Sequence, residues 1–333
     1  MELSQDFKAT IRKIELICST NETMSQKWKI ILAFAAVYII WGSTYLAIVF
    51  ALSDIPPMLM SGMRFFLAGV LLYAWCVIIR KEKQPGLASL SKNAVCGILM
   101  LSFGIGSLAW AEQYISSGLA AIIVTSLPFW FVLLDKRQWS FYFSNKIILV
   151  GLLVGFAGVL LLIIFGKSPQ VSSSHAKQLA GMLVLIAGGI AWTVGSLYSK
   201  YKTVSSSVTM NTSLQLMIAG VFSTLVSVIS SESKHFSFSQ IHMPSLVALL
   251  YLAIVGSLIT FLCYVWLLHK LPPAQVSSYV YVNPVVAIIL GAIIGKEVIT
   301  GVHVLSLTII LCGVLLINLP KYKIARRNQL SAN

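Results

Sequence analysis

The stretch SSYVYVNPVVAIILGAIIGKE, residues 277–297, decides how this chain is to be read. About 20 predominantly apolar residues are the length that crosses the hydrocarbon core of a bilayer. Tyr279, Tyr281, Asn283 and Pro284 interrupt it with two polar aromatics, an amide and a residue that lacks a backbone donor. A plain anchor has no use for the Asn-Pro pair. Proline removes an intrahelical hydrogen bond and clashes with the carbonyl four residues back, so a kink is expected where the amide can meet freed backbone. Interrupted membrane helices of this kind are commonest where a protein binds or passes a solute.

Composition places the whole chain in the same class. Of 333 residues, 58% are hydrophobic and only 10% charged. Soluble domains carry roughly 25% charge, so a single water-soluble core does not fit. The net charge of +14 comes from short basic clusters between apolar spans. That pattern is a set of topology signals and offers no concentrated basic face to nucleic acid. Cys18, Cys76, Cys96, Cys263 and Cys312 form no C-x-x-C pair, and four of them lie inside apolar runs. They read as packing residues, with neither a disulfide framework nor a metal site indicated.

Apolar windows lie near 29–52, 57–79, 93–113, 116–135, 146–165, 178–200, 210–230, 245–268, 274–295 and 300–319. The expected fold is an all-α polytopic membrane protein with ten transmembrane helices. Basic clusters at 80–92, 136–146, 200–202, 270 and 321–327 fall on the side of the N-terminal tail, against Lys167, Lys177, Lys234 and Lys296 on the other. By the positive-inside rule both termini are cytoplasmic.

The chain also repeats itself. AGV at 68–70 returns at 219–221, Trp41 at Trp192, Trp110 and Pro128 at Trp266 and Pro284, and GVLL at 158–161 at 313–316. The order is kept and the offset stays near 151–156 residues. A unit of five spans is odd, so the second copy enters the membrane upside down, as in many secondary transporters. The expected layout is a cytoplasmic tail 1–26, a first five-helix repeat 27–165, a periplasmic linker 166–177, a second repeat 178–319 and a cytoplasmic tail 320–333. In the first tail Leu3, Phe7, Ile11, Ile14 and Cys18 recur at helical spacing, which fits an amphipathic helix on the membrane surface; Met24 is an alternative start.

An ionisable group at mid-membrane costs about 2.5–3.5 kcal/mol on insertion scales. Arg64 and Glu112 look embedded, both toward the periplasmic side, and two readings stand for them. Either Arg64 snorkels or ties helices together, or the two line a solute cavity as an ion pair or a proton-linked site. Trp28, Trp75, Trp130, Trp139 and Trp266 fall near one predicted membrane surface and suit an interfacial belt. Trp110 falls near the other. Trp41 and Trp192 lie near the middle of their spans. Tyr38, Trp41 and Tyr45 share a helix face beside Ser43 and Thr44, and Thr193, Ser196 and Tyr198 accompany Trp192. Aromatics mixed with hydroxyls at this depth suit an amphipathic solute, or equally helix packing with the hydroxyls bonded to carbonyls. No H-E-x-x-H, G-x-S-x-G or Walker A pattern occurs, so neither an enzyme nor an ATP-driven pump is indicated, and no cofactor.

The pieces WGSTYLAI (41–48), PPMLMSGMRFFLAGVLL (56–72), SSGLAAIIVTSLP (116–128) and SSYVYVNPVVAIILGAIIGKE (277–297) resemble the EamA-type transporters of the drug/metabolite transporter superfamily. The resemblance covers roughly residues 26–320. It implies export of amino acids, related metabolites or toxic compounds across a bacterial inner membrane. It also implies a central cavity that includes Trp41, Trp110, Pro128, Trp192, Tyr281 and Pro284. Phe129–Gln138, FWFVLLDKRQ, departs from the family's pattern at the end of the first repeat. The expected substrate site is therefore Trp41, Thr44, Tyr45, Trp110, Trp192, Ser196, Tyr279, Tyr281 and Asn283. Pro128 and Pro284 are expected as helix breaks, and Arg64 and Glu112 as candidates for a coupling proton. Polar recognition is expected to lean on the second repeat. The alternatives to a transporter are a membrane enzyme acting on a lipid-linked substrate and a non-transporting receptor or assembly factor.

Overall fold

The computed structural model describes residues 26, 28–165, 173–202, 206–234, 236–271, 276, 279–296 and 298–330. The N-terminal tail, much of the linker and Glu297 lie outside the described residues, as does the side chain of Tyr281. Among the described residues all regular structure is helical.

The principal helices are α1 (Trp28–Ala51), α2 (Pro57–Ile79), α3 (Leu87–Ala111) and α4 (Ser117–Leu134), then α5 (Lys146–Phe165) and α6 (His175–Tyr201). They continue with α7 (Val208–Ile229), α8 (Met243–Lys270), α9 (Tyr279–Ile293) and α10 (Gly301–Leu330). Each coincides with one of the apolar windows. Seven of them, α1–α4 and α6–α8, are long and apolar enough to cross a membrane, and Lys146–Leu161, Val282–Ile293 and Gly301–Gly313 are shorter apolar stretches. The outer surface is greasy: Ile78, Leu153 and Ile229 are 68%, 73% and 82% exposed, which suits lipid and not water.

Local chemistry sets the helix ends. Pro57 opens α2 with its fixed φ, and Ser116, Ser174 and Ser207 cap α4, α6 and α7 by accepting from the N–H three residues on. The N–H groups of Met58 and Leu59, in the first turn of α2, donate to Glu232 Oε1 from the α7–α8 loop at 2.8 and 3.0 Å. Lys81, Ser231 and Lys296, all at positive φ, lie just past α2, α7 and α9.

The two most extensive helix interfaces are α2 with α7 and α5 with α10. Both are built on the repeated words of the sequence. A Cβ on Gly69 would lie 2.5 Å from Met217 N, and one on Gly220 would lie 2.5 Å from Phe66 N. A Cβ on Gly313 would lie 2.6 Å from Gly155 N. AGV and GVLL thus recur because glycine lets paired helices touch backbone to backbone.

The two expected helix breaks differ. In α4 the helix Ser117–Val124 ends at Thr125 and Ser126, and Pro128 sits at the start of the next helical piece, Leu127–Leu134. In α9 Pro284 lies inside one continuous helix. The departing segment after α4 becomes a 3₁₀ turn, Lys136–Gln138, and a short helix, Trp139–Ser144. Two further irregularities match between the halves: α3 contains a π-helical stretch, Ile98–Ile105, and α8 contains one at Leu252–Ile259.

Candidate functional site

A cavity of about 690 Å³, counting the space at its open mouth, lies among α1, α2, α3, α4, α6 and α9. Trp41, Thr44, Tyr45, Arg64, Trp192, Tyr279 and Asn283 all line it.

Its floor is an aromatic cluster. The Trp41 and Trp192 rings, equivalent by repeat, meet edge to face with centres 5.7 Å apart. Tyr279 stands edge-on to Trp41 at 5.3 Å, and Tyr264 lies 5.1 Å from Trp41 and 5.3 Å from Trp192. Both indoles are held by hydrogen bonds. Trp192 Nε1 donates to Tyr264 Oη at 3.2 Å, and Trp41 Nε1 donates to the Gly256 carbonyl at 3.1 Å. Gly256 sits in the π-helical stretch of α8, where a wider turn leaves a carbonyl for an outside donor. The next residue of that stretch, Ser257, accepts from Arg64 Nε at 3.0 Å. One irregular turn therefore positions both a tryptophan and the buried arginine.

Arg64 is 2% exposed, and Nη1 has no hydrogen-bond partner. Glu112 is also buried, at the end of α3, close enough to act electrostatically on Arg64 and Tyr45. It is not among the residues of the cavity wall. Thr44 Oγ1 donates to the Trp41 carbonyl at 2.7 Å, so its hydroxyl is engaged along its own helix. Asn283, with its amide nitrogen turned inward, donates to the carbonyls of Tyr279 at 3.2 Å and Tyr38 at 2.8 Å. The amide beside the proline thus ties α9 to α1.

Trp110, Ser196 and the two prolines, Pro128 and Pro284, also stand off the wall. Trp110 packs edge-on against Tyr114 at 4.9 Å. Ser196 is one turn from Trp192 and contacts the Trp192 carbonyl at 2.8 Å and Tyr264 Oη at 3.2 Å, supporting the cluster from beneath. Sequence reasoning missed Tyr264 and the turn Gly256–Ser257. Tyr264 lies near the end of its span, two residues before Trp266, where an interfacial belt accounts for aromatics, so no mid-span signal of the kind that singled out Trp41 marked it.

A second cavity lies at the opposite end of the bundle. Lys92, Lys200 and Lys202 line it with Asn93, Asn211 and Gln215. Asn93 Nδ2 donates to Asn211 Oδ1 at 2.9 Å, and Gln215 Nε2 donates to Asn93 Oδ1 at 3.0 Å. Arg64 and Gln215, equivalent by repeat, therefore line cavities at opposite ends.

The model of the EamA-like transporter family matches this chain twice, over residues 27–164 and 179–319. An "Uncharacterized inner membrane transporter YedA" of Escherichia coli K12 is 35% identical over 87% of this chain and 90% of its own length. The "Uncharacterized transporter YoaV" of Bacillus subtilis 168 is 25% identical over 86% and 95%. A "Probable amino-acid metabolite efflux pump" of E. coli K12 is 23% identical over 83% and 90%. A solved crystal structure shares the fold with a TM-score of 0.60 at 19% identity, over 87% of this chain and 97% of that one. Two family matches that together span both halves, with a 35% identical relative along most of its length, place the chain plainly: it belongs to the EamA-like transporter family.

Proposed function

We propose that this protein is a secondary transporter of the bacterial inner membrane that exports small amphipathic metabolites, amino acids or related compounds, or drugs. Ten helices span the bilayer as two inverted five-helix repeats, 27–165 and 178–319, joined by a periplasmic linker at 166–177 and followed by a cytoplasmic tail at 320–333. Both termini face the cytoplasm. The two halves exchange conformations so that the central site opens to one side and then the other.

The observation that carries this reading is the meeting of Trp41 and Trp192 at the wall of the aromatic-lined cavity. Residues equivalent by repeat come together at the boundary between the halves, which is where inverted-repeat transporters hold their solute. The pairing of repeat-equivalent Arg64 and Gln215 with cavities at opposite ends supports alternation. The name of the E. coli efflux pump supports the direction and solute class.

The test is flux in proteoliposomes of the purified full chain, run with a panel of amino acids and cationic drugs, with and without a proton gradient. Wild type is expected to move at least one compound, whereas W41A and W192A insert normally and move none. Wild-type flux in both variants would remove the tryptophans from the solute path.

A further inference from the structure

Resting on the transporter reading above, we infer that the solute is an organic anion: an aromatic or branched apolar body carrying a carboxylate, with the carboxylate held by Arg64. Among the described residues of the aromatic-lined cavity's wall, Arg64 is the one charged side chain. Burial of a guanidinium carries a large desolvation cost, which a purely structural arginine offsets by using its donors within the protein. Here Nε is used on Ser257 and the guanidinium carbon stands 5.0 Å from the Phe65 ring centre, yet Nη1 has no hydrogen-bond partner. A buried cation that lines a cavity and keeps an unpartnered donor matches a planar anion, and the guanidinium fork fits a carboxylate in two parallel hydrogen bonds.

The rest of the wall describes the body of the solute. Trp41, Trp192 and Tyr279 present ring edges and faces, and Ile48, Leu108 and Leu185 complete an apolar surround. No acidic side chain belongs to that described wall. Glu112 offsets the guanidinium charge from within the bundle and does not present a carboxylate to a ligand's ammonium. A cationic drug would bury its charge beside Arg64 with no acid to meet it. A zwitterionic amino acid would satisfy its carboxylate and leave its ammonium without an acidic partner on the wall. The α-amino group is therefore dispensable, and the carboxylate is the recognised feature.

The second cavity agrees independently. It offers three lysines and, among its described lining residues, no acid. A solute passing between the two ends meets cationic walls at both, with the aromatic cluster between them, so anions are favoured along the whole path.

Three compounds of nearly one shape separate the charges: L-3-phenyllactate is an anion, L-phenylalanine a zwitterion and L-phenylalaninamide a cation. Counterflow exchange of each is measured in proteoliposomes of the full chain. Phenyllactate is expected to exchange at least as well as phenylalanine, and the amide neither to exchange nor to compete. R64Q should lower phenyllactate exchange about tenfold or more, the usual loss of a charge-assisted hydrogen bond, while R64K retains part of it. Size-exclusion profiles identical to wild type confirm that both variants fold; the wild-type comparison of the three probes stands without them. Exchange of the amide as fast as phenyllactate, or unchanged phenyllactate exchange in folded R64Q, overturns the anion assignment and leaves the transporter reading in place. Failure of phenyllactate to exchange also overturns it, and if the wider panel of amino acids and drugs shows no flux either, the transporter reading falls with it.

Discussion

Gly220→Ala adds one methyl group at the place where α2 and α7 touch. The new Cβ would lie 2.5 Å from Phe66 N and 2.7 Å from both Phe66 Cα and Cβ. Two of these three atoms are backbone, so no change of rotamer relieves the contact. Carbon atoms pack best at roughly 3.5–4.0 Å, so the helices must part locally by about 1 Å. Overpacking of this kind costs about 1–3 kcal/mol. The α2–α7 interface is one of the two most extensive in the molecule, so the cost falls on global stability. It also reaches the site, because Arg64 lies two residues before Phe66 and its 3.0 Å bond to Ser257 crosses to α8. G69A should behave alike, since its Cβ would lie 2.5 Å from Met217 N. The double variant should cost less than the sum, because one separation of the helices relieves both clashes. Gly86, whose Cβ would meet nothing within 4 Å, is the control. The assay is thermal unfolding of purified protein in detergent, followed by thiol-reactive fluorescence and by loss of the monodisperse peak. G220A and G69A should melt several degrees below wild type, with G86A unchanged. A G220A protein as stable as G86A would refute the claim that the repeated glycines exist for this crossing.

The remaining predictions concern charge. R64E and E112R should each lose flux, and the double swap R64E/E112R, which places a carboxylate on the wall where the guanidinium stood, should not recover it; recovery would show that the two act only as a pair. Glu112→Gln should remove any dependence of flux on a pH gradient while Arg64 and Tyr45, the groups in its electrostatic reach, stay in place, and an unchanged gradient dependence would clear Glu112 of that role. At the α1–α2 loop, Asp54 accepts from the His242 backbone at 2.8 Å and pairs with its ring Nδ1 at 3.1 Å. Hydrogen bonds from Ser245 and then from His242 hold its carboxyl down to about 2, against an ordinary 3.8. A depressed carboxyl stabilises the fold above its unfolded value and loses that contribution as pH falls toward its folded one. The difference in melting temperature between wild type and D54N should therefore persist from neutral pH to about 4 and shrink between about 4 and 2. Collapse of the difference above pH 5 would contradict this ordering.

Much of the architecture is legible in the sequence because a bilayer imposes simple rules. Helices that cross it must be long, apolar and internally hydrogen-bonded, and the apolar windows coincide with helices, seven of them long and apolar enough to span. Boundaries shifted where helices extend past the apolar core: α3 begins at Leu87, six residues before its window, on the polar stretch Leu87–Asn93. The repeated tryptophans and glycines are equally legible, since an offset needs no geometry to detect. The supports of the site are not. Nothing in LAIVGSLI announces a π-helical turn, or that Trp41 Nε1 and Arg64 Nε come from other helices to Gly256 O and Ser257 Oγ. The same holds for Asn283, whose partner on α1 cannot be inferred from its own helix.

The asymmetry expected between the halves takes a more specific form in three dimensions. The two copies contribute one tryptophan each to the cluster, so the aromatic floor is shared evenly. The tyrosines are not: Tyr264 and Tyr279 both come from the second half, and the first half offers Leu108 and Ile123 at the matching positions on the wall. Arg64 reverses the bias, since its counterpart Gln215 is neutral and turned to the other cavity. The wall's one charged side chain among the described residues thus comes from the first repeat, with the hydroxyls of Thr44, Tyr45 and Ser126, while the second repeat supplies Trp192 and Tyr279. An amphipathic solute spanning the two would touch both halves at once, and relative motion of the halves would necessarily pull those two sets of contacts apart. That is the physical requirement for a solute to be bound in one state and released in the next.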